Sequence, residues 1–224
     1  MKKKISILLA VALCVVLMCC GCANDKANGE KEPVENNKEA TADKTGMSRI
    51  NIFETGVLEL TTQDVDNKGT TVAAYAVKDY VDKAFAAAPA DPVVLVASDG
   101  YSASTKADEF MKHFITMEGE SAPLFVGPEL SGELKVKYLQ YIKTANESIC
   151  FVADSLKVSD IFSTLGMVEA DNYKFVASDG FSVEVAAADI AECTLNKKDK
   201  SVNAAIPALT GGDLREVVYI EAIK

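Results

Sequence analysis

The sequence predicts an α+β protein made of two tandem, similar modules of mixed short strands and helices. Three observations carry this expectation. The block Val94-Leu95-Val96-Ala97-Ser98-Asp99-Gly100-Tyr101-Ser102 returns 80 residues later as Lys174-Phe175-Val176-Ala177-Ser178-Asp179-Gly180-Phe181-Ser182. Other blocks match in the same order at offsets of 79 to 81: Val77–Val81 with Val158–Phe162, Pro128–Gly132 with Pro207–Gly211, and Tyr138–Lys143 with Tyr219–Lys224. Between the blocks, apolar residues alternate between helical spacing and strand-like runs. Short helices set among many strands are the α+β pattern. The modules span 49–146 and 147–224, and two copies are too few for a solenoid.

The chain opens with Lys2, Lys3 and Lys4, followed by an apolar run from Ile5 to Cys20 broken only by Ser6. A basic start before an apolar run is the layout of an export signal. The run is shorter than the roughly 20 residues that cross a bilayer comfortably. Gly21-Cys22 follows and resembles a bacterial lipobox, with residues 1–21 as the lipoprotein signal peptide and Cys22 as the lipidated residue. A diacylated cysteine is a stable anchor. The expected location is therefore the extracytoplasmic side of a cell membrane, with membrane lipid as one partner. Residues 22–48 are rich in Lys, Glu, Asn and Asp and hold no aromatic residue. Such a stretch cannot offset its ordering entropy by burial and reads as a disordered linker.

Within the first module, Val77, Tyr80, Val81, Ala84, Phe85 and Ala88 have helical spacing and stop before Pro89. Val93–Ala97 is a short apolar strand. Ser98-Asp99-Gly100 is a turn signal, because Asp-Gly tolerates the positive φ of a tight reversal. Residues 101–104 return as a strand and 106–112 form a short helix. Strands follow at 122–126 and 134–142. The second module repeats the order, with a helix at 158–165, strands at 173–177 and 181–185, a short helix at 187–193, and strands at 201–206 and 214–223.

The chain carries 33 acidic against 23 basic residues, a net charge of −10. Loss of Lys2–Lys4 with the signal takes this to −13. No basic surplus is left to neutralise phosphates, which excludes nucleic acid as a partner. His113 is the only histidine, and Arg49 and Arg215 are the only arginines. Four of the six cysteines lie at or before residue 22, so the folded part holds Cys150 and Cys193. An oxidising compartment would permit them to pair; the composition favours two small buried residues. No glycine-rich phosphate loop, HExxH or GxSxG motif is present.

The matched turns supply the candidate ligand-binding residues: Ser98, Asp99, Tyr101 and Ser102 in one copy, and Ser178, Asp179, Phe181 and Ser182 in the other. Each aspartate is a ligand at a loop tip or simply the residue that Asp-Gly turn chemistry prefers. Tyr101 and Phe181 are expected as core or cross-strand contacts rather than as a platform.

The V-A-S-D-G-(Y/F)-S hairpins, the flanking short helices, the P-x-L-x-G loops and the closing strands together resemble the sulfite-oxidase-like molybdopterin-binding domain. The resemblance covers Val77–Lys143 and Val158–Lys224. It implies a mixed α/β fold that holds a molybdenum pterin and oxidises or reduces small oxyanions and sulfoxides. Active members ligate the metal through a cysteine upstream of the hairpin and grip the pterin with Arg and His. Cys150 and Cys193 do not sit at that place, and His113 has no counterpart in the second copy. No catalytic residue is carried over, and no metal ligand is assigned. Asp99–Thr105 also looks like the motif that attaches flavin mononucleotide covalently, but Ala103 and Ser104 stand where it wants Gly and Ala. The expected function is a non-catalytic extracytoplasmic binding or interaction module, a degenerate relative of molybdopterin domains. It would need no cofactor and would meet a small molecule or envelope protein. The alternative is a redox protein that uses molybdopterin or FMN.

Overall fold

The computed structural model describes residues 46–223. The expected signal peptide at 1–21, the expected lipidation at Cys22 and the expected linker as far as residue 45 lie outside the described residues. The described residues form one compact unit.

An eight-stranded sheet organises the fold. Its order is β12 (Ser182–Ala186), β11 (Asn172–Ala177), β15 (Val217–Ile223), β1 (Arg49–Ile52), β9 (Glu147–Cys150), β8 (Leu139–Lys143), β4 (Val93–Ala97) and β5 (Ser102–Thr105). All neighbours are antiparallel except the central pair, β1 and β9, which run parallel. A four-stranded sheet joins β2 (Thr62–Asp66), β3 (Thr71–Ala76), β6 (Phe114–Thr116) and β7 (Leu124–Val126). A three-stranded sheet joins β10 (Ser155–Lys157), β13 (Thr194–Lys198) and β14 (Ser201–Ala205). The helices are α1 (Val77–Ala84), α2 (Ala107–Phe110) and α3 (Val158–Leu165), with a 3-10 helix at Ala187–Glu192.

The expected α+β class is thereby corrected. The structure is 41% strand and 15% helix in three sheets, a β-rich fold. The helices arise where the spacing predicts them; the excess is in strands that carry little pattern. β2 buries only Val65 of five residues. β9 buries all four of its residues, two of them Glu147 and Ser148. A strand with one buried side chain, or with polar residues inside, shows no period-2 alternation to read. The strand expected from residue 134 starts instead at Leu139, because Tyr138 lies at φ 51.

The two copies contribute matching elements. β4 and β5 correspond to β11 and β12, and α1 to α3. Val93, Leu95 and Ala97 are buried, as are Tyr173, Phe175 and Ala177 exactly 80 positions later. Both inner strands bulge at the same place, between Val96 and Ala97 and between Val176 and Ala177. The bulges also correct the alignment of the closing strands. Val96 faces Tyr141 and Val176 faces Tyr219. Tyr141, not Tyr138, is therefore the counterpart of Tyr219. The counterpart of Tyr138 is Glu216, which shares its left-handed backbone at φ 52.

Each copy's core lies on its own face of the large sheet. One core holds α1 residues Val77, Tyr80 and Val81 with Val93, Leu95 and Ile142. The other holds α3 residues Val158, Ile161 and Leu165 with Phe175 and Ile220. The first strands are exchanged between them. Ile50 and Ile52 of β1 pack into the α3 core, while Ile149 and Phe151, in and just after β9, pack into the α1 core. Their pairing agrees, since β1 bonds β15 and β9 bonds β8. Neither copy completes its core alone. A fragment of residues 46–146 is expected to show no cooperative urea transition by circular dichroism, and Ile149→Ala in the full chain to lose about 2–4 kcal/mol.

Polar side chains lock the centre of the sheet. Glu147 is buried; its Oε1 accepts from the backbone N–H of Ala86 (2.9 Å) and Ala87 (3.0 Å), just after α1. Its Oε2 accepts from Asn51 Nδ2 at 2.8 Å and lies 3.5 Å from Arg49 Nε. Arg49 also donates to the Ala84 carbonyl at the end of α1 and stacks 3.5 Å from the centroid of the Tyr219 ring. A cation at a helix C-terminus and over an aromatic face is favourable on both counts. Glu147→Ala is expected to cost about 3 kcal/mol in urea denaturation, because it leaves the Ala86 and Ala87 amides and Asn51 Nδ2 without their acceptor and takes a carboxylate away from Arg49. The Arg49→Ala, Glu147→Ala double variant should lose clearly less than the sum of the single losses.

Candidate functional site

The two Asp-Gly turns have the same construction. Asp99 Oδ1 accepts from the Tyr101 N–H at 2.9 Å, and Asp179 Oδ1 accepts from the Phe181 N–H at 2.9 Å. Gly100 and Gly180 sit at φ 89 and 85, where a Cβ would be strained. Ser98 N–H donates to the Tyr138 carbonyl and Ser178 N–H to the Glu216 carbonyl, so each turn is tied to the residue before its closing strand. In the second copy the Ser178 hydroxyl also donates to Glu216 Oε2 at 2.6 Å. Turn chemistry accounts for one oxygen of each aspartate. Ser102 and Ser182 begin β5 and β12 and pair with Val96 and Val176.

The structure does not bring the two turns together. β4 and β11 run in the same direction, so both turns lie at one end of the sheet, the end reached by the C-termini of β1 and β9. They are five strand positions apart, roughly 24 Å at the usual strand spacing. A single small ligand cannot touch both. Asp99 and its neighbours form one candidate site, and Asp179 and its neighbours form another.

The matched aromatics are not core residues, contrary to the expectation from sequence. Tyr101 is 47% exposed and Phe181 is 56% exposed. Their strands lie at the two edges of the sheet, with no neighbour on the outer side to cover them. Tyr101 is steadied by its hydroxyl, which donates to the Glu133 carbonyl at 2.9 Å. Tyr138 and Met117 are the other exposed large apolar side chains among the described residues.

Cavities gather at the same end of the sheet. One of about 250 Å³ is mostly apolar and lies between Ser98, Tyr138, Gln140, Phe151 and Asp154. One of about 200 Å³ lies beside Asp179, Phe181 and Arg215. A third of about 360 Å³ holds Phe53, Tyr75, Met117 and Lys197, and a fourth of about 640 Å³ is bordered by Gly56, Lys200 and Glu216. The chain reaches β1 from the opposite end, where Ser48 accepts from the Ala222 N–H and Met47 bridges to Met167.

Sequence reasoning missed Glu54, next to the third cavity. It lies two residues after β1, and its side chain is fully buried. Oε1 lies 3.4 Å from Lys197 Nζ, while Oε2 has no hydrogen-bond partner. Burial pushes its pKa from 4.5 up to about 7, against the pull of Lys197. No local signal marks this residue, since Lys197 is 143 positions away.

The side chains of the described residues do not fit a molybdenum pterin. Cys150 and Cys193 are free thiols, both buried in the α3 core. Burial pushes both thiols up, away from the thiolate that a metal requires. His113 is buried edge-on to Phe125, and Arg49 is committed to Glu147 and Tyr219. Among the described residues no group of three or more His, Cys, Asp or Glu could hold a metal ion. Comparison with family models, curated proteins and solved structures finds no significant match.

The buried carboxyl has a pH consequence. Between pH 4.5 and about 7 the folded chain holds the Glu54 proton and the unfolded chain releases it. Stability therefore falls as pH rises through that window, by on the order of 3 kcal/mol in full. Glu54→Gln is expected to flatten this slope and to raise the melting temperature at pH 8 while changing little at pH 4.5. A parallel pH profile for variant and parent would contradict the assignment.

Proposed function

We propose that the protein is a non-catalytic binding or interaction module, exported and held to the extracytoplasmic face of a membrane by lipid on Cys22. It meets a small molecule or envelope protein with the end of the large sheet that carries both Asp-Gly turns. One observation carries the reading: the exposed Tyr101, Met117, Tyr138 and Phe181 and the cavities beside them gather at that end. Apolar concavities edged by a few polar groups are where ligands bind. The chain comes in from the opposite end, so a tether there leaves the binding end facing away from the lipid. On this reading the chain is a degenerate relative of molybdopterin domains that keeps hairpins and helices without the chemistry. The molybdopterin form of the redox alternative is weakened by the buried thiols of Cys150 and Cys193.

Three measurements test the proposal. Cys22→Ala is expected to lose radioactive fatty-acid label and to leave the membrane fraction; retention of label would refute the anchor. Protein purified from its native envelope should be colourless and free of molybdenum. Stoichiometric molybdenum, or a flavin band that survives denaturation, would replace the binding module with the redox protein. Photo-crosslinkers at Tyr138 and Phe181 should form adducts in that envelope, and one at Lys143, at the far end of β8, should not.

A further inference from the structure

The second-copy cavity has a charge arrangement that the first copy lacks. Leu214 is buried and pinned to Ala204 by two backbone hydrogen bonds of 2.8 and 2.9 Å. In an extended segment, residues on either side of a buried one share the opposite face. Asp213 and Arg215 are therefore turned outward together, and both line the cavity with Asp179, Phe181 and Leu209. Among the described residues, Asp213 and Arg215 make no ion pair or side-chain hydrogen bond, and Asp179 uses only Oδ1, for its own turn. A guanidinium and two carboxylates thus line one cavity of about 200 Å³ without forming an ion pair with one another. The first copy places Asp99, Tyr101 and Lys137 at the equivalent positions. There the Tyr101 hydroxyl bonds the Glu133 carbonyl and ties the turn to the facing loop. Phe181 has no hydroxyl and cannot make that tie.

We propose that this cavity binds a small zwitterion with an apolar side chain, the chemistry of a free α-amino acid. Arg215 receives the carboxylate through its planar fork of donors. Asp179 and Asp213 receive the ammonium, and Phe181 and Leu209 cover the apolar part. A molecule with one charge leaves either the guanidinium or the carboxylates unmatched, which makes the site selective for paired charges. The inference rests on the binding-module reading and names the ligand class for one of its two turns.

Calorimetry on the full chain in detergent micelles, with three probes, tests it. L-phenylalanine is expected to bind saturably. 3-Phenylpropanoate, which lacks the ammonium, and phenethylamine, which lacks the carboxylate, should each bind about tenfold more weakly or worse, the loss of one charge-assisted contact. Arg215→Ala should abolish binding of L-phenylalanine, and Arg215→Lys should keep part of it. Circular dichroism checks that each exposed substitution leaves the fold intact. Equal affinity for all three probes, unchanged binding by Arg215→Ala, or no binding of L-phenylalanine at millimolar concentration would each overturn the inference. If it fails while crosslinks at Tyr138 and Phe181 persist, the zwitterion site falls and the binding module stands. If those crosslinks are also absent, both fall.

Discussion

The Glu147 carboxylate is the contact on which the centre of this fold depends. It sits in β9 at the only parallel junction of the large sheet and reaches across that junction to Asn51 and Arg49 on β1. Its other oxygen holds the two amides that leave α1. Taking a carboxylate out of water costs several kcal/mol unless its lone pairs are filled. Here every oxygen is engaged, and the positive partner is itself held by a helix end and an aromatic face. The geometry fixes the relative position of β1, β9 and α1 at once, which apolar contacts alone specify less sharply.

That junction also explains how a repeated sequence becomes one compact unit. The halves are related across the parallel pair, so their helices pack on opposite faces of the sheet. Each half closes its core with the other's first strand: Ile50 and Ile52 go one way, Ile149 and Phe151 the other. Parallel strands cannot be joined by a tight turn, and nearly a hundred residues separate β1 from β9. The exchange ties stability to contacts that are distant in the chain.

The same geometry separates two roles along the strand direction. One end receives the incoming chain and is closed by Met47, Met167 and Ser48. The other carries the turns, the exposed aromatics and the cavities. Strand polarity makes this follow from the pairing, since β4 and β11 run alike and deliver their turns to the same end. The outer position of both hairpins keeps their aromatics uncovered. It also separates the turns by most of the sheet's width, so the copies offer two independent sites instead of one cleft.

What the sequence determined by itself is what depends on chain neighbours. The Asp-Gly turns at 98–101 and 178–181, the helices at Val77 and Val158, and the 80-residue spacing of the inner strands are all set by residues within a few positions of each other. The β-rich class was not legible, because β2 shows one buried residue and β9 hides Glu147 and Ser148 inside. The closing strands were read three residues out of register, because two bulges, invisible in the sequence, set Tyr141 against Tyr219. Nor could local sequence reveal that Glu147 is buried, that Glu54 titrates near neutrality, or that Tyr101 and Phe181 are exposed. Those outcomes rest on partners 61, 96 and 143 positions away, and on which strands end at a sheet edge. Only the tertiary structure decides them, because burial is a property of what packs around a residue and not of the residue itself.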